Sequence, residues 1–415
     1  MSDMRPRNRS RGISGIARHG QLTKSNPFVT VVKFIAAALA VVLVSAASVT
    51  VIAFTQLNSN IKTVALVGET DGPAPALGSF DGGFNILIVG SDMRAGQGGI
   101  GGKDDGVLND VTMLVHVSQD QTNAVAVSIP RDMVVPIPPC PRTDGKGNYP
   151  AMSAQPINNT LAYGGLACTV VTVKALTGLD IPFAALITFQ GVIQMSTAVG
   201  GVPVCVNGPM HDNFSGIDLP AAGTYTLSGA SALAFLRSRH GVGDGSDLGR
   251  ISSQQVFLSS LVRTVKSNDT LTNFTKLYGI ASAATKNMTL SNSLKNLNTM
   301  ASMALVLKGI PLDRISFVQY PGTTGVDGVY SGKVAPLTDQ ASALFARIKA
   351  DQPFTLDSGT GRGSVADPNA PKPTASPVPS GSASPAPGAS EAPADLLKGV
   401  LGQTAADYTC SKVNK

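Results

Sequence analysis

The chain alternates between two hydrophobic patterns from residue 84 onward. Short apolar runs bounded by polar turns predict three successive strands, in FNILIVGSD, VTMLVHV and NAVAVSIPRD. Apolar positions at helical spacing predict a helix in TLAYGGLACTVVTVKALTGL that ends at Gly178. Further segments predict a strand in FAALITF, a helix, Gly-Gly turn and strand in QGVIQMSTAVGGVPVCV, and helices in SGASALAFLRSR and SSQQVFLSSLVRTV. This alternation predicts the α/β class, as an α/β/α sandwich around a central mixed β-sheet.

An uncharged apolar run occupies residues 34–54. A bilayer core of about 30 Å needs roughly 20 helical residues, so the run predicts a transmembrane helix. The residues before it carry seven Lys and Arg side chains against Asp3 alone, a net charge of +6. The positive-inside rule then places the N-terminus in the cytoplasm and the rest of the chain outside the cell. The alternative is a cleaved signal peptide, whose apolar region usually has about 7–15 residues.

The basic N-terminus accounts for the whole net charge of the protein. Beyond Lys33, the remaining 25 basic and 25 acidic residues cancel. A nucleic-acid-binding protein carries its positive charge on the folded domain, so we expect no nucleic-acid partner. Only 14% of all residues are charged, against about 25% in ordinary globular proteins, so a local cluster of charges is informative.

The chain has four cysteines: Cys140, Cys168, Cys205 and Cys410. An even number in an exported protein permits disulfides, and three connectivities are open. Proximity favours a Cys140–Cys168 pair, in which case the other pair ties the C-terminal tail to the core. A zinc site is not expected, because the sequence has neither a CxxC motif nor a cluster of histidines.

Composition divides the chain into segments. We predict a cytoplasmic basic tail (1–33), a transmembrane helix (34–54), a stalk (55–80), an extracellular folded domain (81–357), a disordered linker rich in Pro, Ser and Ala (358–395) and a C-terminal tail with Cys410 (396–415). The linker has too few large apolar side chains to offset the entropy of ordering. Within the tail, LLKGVLGQTAADYTC predicts one short helix.

Charged side chains gather at the ends of the predicted elements. They are Asp92, Arg94, Asp110, Arg131, Arg237, Arg239, Asp247 and Arg250, with Gln254 one helical turn further on. In open α/β sheets, ligands bind beyond the ends of the strands, so these groups are expected to converge on one site. Arginines suit a phosphate group, and aspartates among them suit a hard divalent cation that phosphate oxygens also bind. Together they predict a metal-assisted diphosphate site for phosphoryl transfer.

Each of these residues also has a structural interpretation. An aspartate that follows a strand often caps a turn, and Arg131 is able to form an ion pair with Asp132. Arg237 and Arg239, at the C-terminus of a helix, complement the helix dipole. His240 is interpreted as a surface histidine. The apolar segments 160–179, 183–206 and 228–236 are explained by a filled core or by a hydrophobic slot for a polyprenyl-linked substrate.

Several spaced motifs resemble the LytR-CpsA-Psr family, in its actinobacterial branch. They are NILIVGSDMR, SIPRD, INNTLAYGG, GGVPVCV and LSGASALAFLRSRHGVGDGSDLGRISSQQVFL. The resemblance covers residues 84–265 and implies a single-pass membrane protein with an extracellular catalytic domain. It also implies transfer of a glycopolymer, with its proximal phosphate, from polyprenyl diphosphate to a muramic acid 6-hydroxyl of peptidoglycan, which forms a phosphodiester. The polymer would be arabinogalactan, a teichoic acid or a capsule.

Matching the motifs position by position assigns roles to the charged residues. The resemblance implies Asp92 and Asp110 as ligands of Mg²⁺, with Mn²⁺ as an alternative, Arg131, Arg237 and Arg239 as catalytic contacts to the diphosphate, Asp247 as a base or orienting group, and Arg94, Arg250 and Gln254 as substrate-binding residues. Leu108 and Ser253 stand where the family usually has arginine. These two departures keep open the alternative of a non-catalytic polyprenyl-diphosphate-binding envelope protein or regulator.

Overall fold

A computed structural model of the protein describes residues 27–69, 76, 78–92, 107–267, 270, 273–356, 360–371 and 395–414. The chain divides into two units, Met1–Thr55 and Gln56–Lys415. The first contains most of helix α1, Pro27–Ser59, which starts before the predicted span and continues past it. Its apolar side chains are exposed, and by length and composition it fits a single membrane anchor.

The second unit contains the remaining helices and all of the described strands. The helices are α2 (Asn159–Thr177), α3 (Phe189–Val199), α4 (Ala230–Arg237), α5 (Asp247–Lys266), α6 (Phe274–Asn287), α7 (Leu297–Gly309) and α8 (Thr338–Lys349). Helix α2 is also long and apolar enough to cross a membrane, but it is mostly buried and is a core helix. It ends at Gly178, whose φ of 69° is left-handed, as the sequence predicts.

The strands form one large sheet, one smaller sheet and several short ladders. They are β1 (Lys62–Val64), β2 (Phe84–Ser91), β3 (Asn109–Val117), β4 (Ala124–Ile129), β5 (Val134–Ile137), β6 (Cys140–Pro141), β7 (Asn148–Tyr149), β8 (Met152–Pro156), β9 (Phe183–Thr188), β10 (Val202–Val206), β11 (Met210–Asp212), β12 (Ile217–Leu219), β13 (Gly223–Leu227), β14 (Met288–Ser291), β15 (Ile315–Gln319), β16 (Gly322–Thr323), β17 (Ala335–Pro336), β18 (Phe354–Leu356), β19 (Ser364–Ala366), β20 (Asp395–Leu397), β21 (Gly402–Thr404) and β22 (Thr409–Ser411).

The central sheet has eight strands in the order β1-β14-β9-β2-β3-β4-β15-β21. Strand β2 pairs parallel with β9 and antiparallel with β3, and β3 pairs antiparallel with β4. Strand β4 pairs parallel with β15. The fold is therefore the expected mixed α/β class, with a sheet that combines parallel and antiparallel pairs.

Side chains alternate between the two faces of this sheet. Leu87 and Val89 of β2 belong to one hydrophobic cluster, together with side chains from α2 and α8. Ile86 and Ile88 of the same strand belong to a second cluster, with side chains from α5 and α7. We call these the α2 face and the α7 face. Because successive residues of a strand point to opposite sides, helices cover both faces and the molecule has three layers.

The predicted disulfide pairs are confirmed. Cys140 is bonded to Cys168, with Cα atoms 4.9 Å apart, and Cys205 is bonded to Cys410. The second bond lies between β10 and β22, which pair parallel, so it ties the C-terminal segment to the four-stranded sheet β13-β10-β22-β19. The tail therefore packs as part of the folded unit.

Three predictions about the chain ends need correction. Residues 62–64, predicted as stalk, form the edge strand β1, which pairs parallel with β14. The predicted linker includes β19, which pairs with β22 in the smaller sheet. The short helix expected in the tail is wrong, because β20, β21 and β22 occupy it. Each short segment gains backbone hydrogen bonds from a distant partner strand, which local periodicity does not reveal.

Candidate active site

A charged cleft of about 280 Å³ opens where the central strands β2 and β4 end and β3 begins. Since β3 runs antiparallel to both neighbours, its first residues lie at the same sheet edge as the last residues of β2 and β4. The cleft is lined by Asp92, Asp110, Arg131, Asp212, Phe214, Ser215, Arg237, Arg239, His240 and Arg250. Six of the predicted site residues thus meet in one place, although they are separated by up to 158 positions in sequence.

Asp110 lies at an irregularity in the sheet. The register between β2 and β3 shifts between Gly90 and Ser91, because Gly90 pairs with Val111 while Ser91 pairs with Asn109. Asp110 is the extra residue of this β-bulge. Bulges occur next to active sites because they redirect a side chain out of the regular alternation. Here the redirected carboxylate lines the cleft.

Arg131 lies in the cleft beside two aspartates. Its Nη1 donates a hydrogen bond to Oδ1 of Asp110, and its Nε lies 3.7 Å from Oδ1 of Asp132. Burial would lower the pKa of Arg131, but the charges of Asp110, Asp132 and Asp247 outweigh it and raise the pKa. The guanidinium is therefore held permanently charged beside the carboxylates.

Arg237 and Arg239 reach the cleft from the C-terminal end of α4. The Arg237 guanidinium lies 4.7 Å from the ring centre of Phe189, a cation–π contact that fixes its direction. Nη2 of Arg239 donates to Oδ2 of Asp132 at 3.0 Å. The ion pair that the sequence suggests between Arg131 and Asp132 therefore also includes Arg239, so Asp132 bridges two arginines of the cleft.

Asp247 lies behind the cleft, whereas the sequence predicts that it lies in the cleft. Only 1% of the residue is exposed, so it does not line the cleft and is not a base facing an acceptor. Its Oδ2 accepts the backbone N–H of Arg131 at 2.9 Å, and its Oδ1 lies 2.6 Å from Nη2 of Arg250. Arg250 also donates to the backbone carbonyl of Asp110 at 2.9 Å. Asp247 is a positioning residue behind the cleft.

Gln254 also acts away from the cleft. Its Nε2 donates at 2.9 Å to the carbonyl of Leu236, so it ties α5 to the end of α4 that carries Arg237. The prediction of a direct substrate contact is not matched by this geometry. Arg94 lies outside the described residues.

Asp212 is the main residue that sequence reasoning missed. It is only 3% exposed, and its Oδ2 accepts from Oγ of Ser238 and from the backbone N–H groups of Arg239 and His240. Burial would raise the pKa of Asp212, but these hydrogen bonds outweigh it and lower the pKa to about 2. A permanently ionised carboxylate therefore organises the segment that presents Arg239.

One of the two departures from the family pattern has a structural explanation. Ser253 is buried, and its Oγ lies 2.7 Å from Oγ of Ser411 in β22. An arginine at position 253 would clash with strand β22. The packing of the C-terminal segment therefore explains why a small residue stands there. Leu108 lies beside the cleft, where its N–H donates to Oδ1 of Asp92 at 3.3 Å, and its side chain supplies no guanidinium there.

The donor set of the cleft fits a hard cation. Asp92 and Asp110 both line it and offer carboxylate oxygens, the ligands that Mg²⁺ prefers together with phosphate oxygens. Their arginine neighbours suit the phosphates themselves, since a guanidinium offers paired donors. The arrangement is suited to holding a diphosphate from two sides.

A larger cavity of about 610 Å³ lies at the opposite end of the sheet, where β9 begins at Phe183. Three of the charged groups that line it have partners. Lys174 lies 2.5 Å from Asp180, and Glu69 accepts the backbone N–H groups of Leu66 and Ser293. We therefore place the chemistry in the charged cleft, although the other cavity has the larger volume.

Fold and cleft together define a mixed α/β protein with an arginine-rich cleft at one edge of its central sheet. The LytR_cpsA_psr family model matches residues 49–347. The chain therefore belongs to the LytR-CpsA-Psr family.

Individual relatives agree with this assignment. The cell wall biosynthesis protein LcpA of Corynebacterium glutamicum is 31% identical over 293 residues, which cover 64% of this chain and 55% of LcpA. The chain thus matches about half the length of that relative. TagT of Bacillus subtilis, named a polyisoprenyl-teichoic acid–peptidoglycan teichoic acid transferase, is 26% identical over 70% of this chain and 86% of its own. The fold also matches the LytR-Csp2A-Psr enzyme of Actinomyces oris, with a TM-score of 0.51 at 22% identity, over 69% of this chain and 95% of that one.

Proposed function

We propose that this protein is an extracellular, membrane-anchored phosphotransferase. It moves a glycopolymer with its proximal phosphate from a polyprenyl diphosphate carrier to a muramic acid 6-hydroxyl of peptidoglycan, forms a phosphodiester and releases polyprenyl phosphate. The observation that carries the proposal is the convergence of Arg131, Arg237, Arg239 and Arg250 with two aspartates in one cleft. The name of TagT supports the same reaction class.

The arginines suit both ends of the transfer. A diphosphate carries several negative oxygens, and breaking the bond between its phosphates leaves additional charge on the departing polyprenyl phosphate. Preorganised guanidinium groups stabilise such charge best when they need not move during the reaction. Asp132, Asp212 and Asp247 hold Arg131, Arg239 and Arg250 in place through the contacts described above.

Asp92 and Asp110 would hold a Mg²⁺ ion, or Mn²⁺ in its place. Such an ion, when bound, neutralises charge on phosphate oxygens and favours attack at phosphorus. The protein's own contribution at this position is the bulge that turns Asp110 into the cleft and the hydrogen bond that directs Asp92 toward Leu108.

The α7 face supports an apolar slot for the polyprenyl chain. Ile86, Ile88, Val111 and Val115 lie in the two innermost strands, yet they are only partly buried. Central strands normally bury such side chains completely, so this face is incompletely covered. The same two strands carry Asp92 and Asp110 at their ends, so a lipid along this face would place its diphosphate in the cleft.

The helix α1 and the basic residues before it support the membrane anchor and its orientation. With the N-terminus in the cytoplasm, the folded unit lies outside the cell, in the compartment that contains the peptidoglycan acceptor. The two disulfides are in accord with an oxidising exterior.

The test is a transfer assay with full-length protein in detergent, a short polyprenyl-diphosphate-linked glycan, Mg²⁺ and a peptidoglycan oligosaccharide. We expect release of polyprenyl phosphate together with a phosphodiester-linked product. Arg131→Ala and Arg239→Ala should each lower the rate at least a hundredfold, because removal of one transition-state donor costs roughly 10²–10³ in rate. Mass spectrometry of both products measures the effect.

Arg142→Ala is the matched control, since Arg142 pairs with the exposed Asp144 outside the cleft. This variant should transfer at the wild-type rate. If the wild-type protein retains the lipid diphosphate but releases no polyprenyl phosphate, the non-catalytic binder is the correct function. Leu108, which supplies no guanidinium beside Asp92, is the feature that favours that alternative.

A further inference from the structure

A turn beside the cleft exposes a large apolar side chain. Strands β11 and β12 form an antiparallel hairpin, and Phe214 lies in its turn. Phe214 is 79% exposed, more than any other large apolar side chain in the described part of the chain, including those of α1. It nevertheless lines the same cleft as the aspartates and arginines.

The turn that carries Phe214 is held firmly. Oδ1 of Asp212 accepts the N–H groups of Phe214 at 3.0 Å and Ser215 at 3.3 Å. The N–H of Gly216 donates to the carbonyl of Asp212 at 2.8 Å, and its φ of 79° closes the turn in a conformation that favours glycine. The exposed ring is therefore presented by a fixed backbone, and its exposure is not a consequence of a loose loop.

The ring also has a supporting neighbour. The rings of Phe214 and His240 lie with centroids 4.5 Å apart and planes inclined by 35°. His240 directly follows Arg239, so the aromatic pair adjoins an arginine of the cleft. The other carboxylate oxygen of Asp212 binds the backbone of this second segment, so one buried residue sets the position of both rings.

We propose that Phe214, supported by His240, forms the subsite that binds a hexopyranose ring of the acceptor glycan. This inference rests on the proposed function. One face of a pyranose presents only C–H groups, and such a face stacks on an exposed aromatic ring. Sugar hydroxyls at the edge of the ring need polar partners, which Ser215 and His240 supply from the same cleft wall.

The acceptor fits this place better than the lipid of the donor. The donor lipid is wholly apolar and is assigned to the α7 face, whereas Phe214 stands among polar side chains at the cleft. Transfer requires a sugar hydroxyl within about 3–3.5 Å of the reacting phosphorus, so the acceptor ring must rest against a wall of the same cleft. Phe214 is the apolar side chain on that wall.

The first experiment compares Phe214→Ala with wild-type protein in the transfer assay described above. The KM for a GlcNAc–MurNAc oligosaccharide should rise about fivefold to tenfold, as expected for one lost stacking contact. The KM for the lipid-linked donor and the rate at saturating acceptor should not change. Phe214→Tyr keeps the ring and should behave as wild type, and Val329→Ala, an exposed apolar residue outside the cleft, is the control.

The second experiment measures binding without turnover. NMR signals of the same oligosaccharide should broaden when full-length wild-type protein in detergent is added, and should not broaden with Phe214→Ala. If transfer proceeds and Phe214→Ala raises only the donor KM, or neither KM, the subsite is refuted while the proposed function stands. If the oligosaccharide binds in a Phe214-dependent way but no transfer occurs, the subsite stands and the transferase function fails.

Discussion

The two faces of the central sheet are built from the same strands but are covered to different extents. Among the described residues, the cluster on the α2 face has 29 buried side chains and 5 partly buried ones. The cluster on the α7 face has 13 buried and 14 partly buried ones. One face is therefore a closed core, whereas the other leaves more of its apolar side chains partly exposed.

This difference separates stability from function in one sheet. Close packing on the α2 face supplies the burial that holds strands and helices together. Incomplete cover on the α7 face sacrifices some of that burial, a loss that is common at sites that bind ligands. The cleft lies at the end of the strands that both faces share, so the closed face fixes the site that the open face would supply with lipid.

Leu114→Ala should have the largest effect on stability. Leu114 is fully buried on the α2 face, and truncation of such a side chain leaves a cavity that costs about 2–5 kcal/mol. Chemical denaturation of the full-length protein measures the loss of unfolding free energy. A loss below 1 kcal/mol would mean that the α2 face tolerates cavities and is not the closed core that its burial indicates.

Val111→Phe should weaken donor binding with little loss of stability. Val111 is partly buried on the α7 face, close to Asp110, and a larger ring there would occupy the space assigned to the lipid. Because the lipid would have to displace the new ring, we expect the affinity for the polyprenyl-diphosphate donor to fall about tenfold, a loss of about 1.4 kcal/mol in binding free energy. The amount of radiolabelled donor that the protein retains measures this affinity. Val329→Phe, at an exposed position outside the cluster, is the control.

The results for Val111→Phe distinguish a lipid slot on the α7 face from an ordinary core. If Val111→Phe binds donor normally and unfolds more easily, the α7 face is an ordinary core and the slot is wrong. If donor binding falls while the denaturation midpoint is kept, the slot is supported.

The smallest expected effect comes from a matched pair of valine truncations. Val127→Ala acts on the closed face and Val115→Ala on the open one, in neighbouring strands. Removing the same two methyl groups should cost about 1 kcal/mol less at Val115, because less of its surface leaves water on folding. Equal losses in the same denaturation experiment would remove the distinction between the two faces.

Much of the site was accessible from sequence because the chain has few charges. Asp92, Asp110, Arg131, Arg237, Arg239 and Arg250 were singled out by their positions at element ends, and all of them line the cleft. The sequence does not single out Asp212, since a lone aspartate at the end of a short strand has no pattern of its own. Its importance arises from donors more than 20 residues away, at Ser238 and beyond.

The sequence also did not distinguish residues in the cleft from residues behind it. Asp247, Arg250 and Gln254 lie along one face of helix α5, but they meet different neighbours: Asp247 contacts Arg250, and Gln254 donates to the carbonyl of Leu236. Their roles follow from which neighbour each side chain meets. Periodicity specifies the face of a helix and leaves open what packs against that face.

The amino-acid sequence by itself determined the apolar anchor helix, the α/β alternation and six of the charged residues that line the cleft, and it favoured one pairing of the cysteines. These depend on local periodicity, composition and spacing, which are written in neighbouring residues. Only the tertiary structure decided that the strands of the tail join three sheets, that Asp212 and Asp247 hold the segments that carry the arginines, and that one sheet face is left partly open. Those features depend on contacts between distant segments, and burial is a property of the whole packed chain.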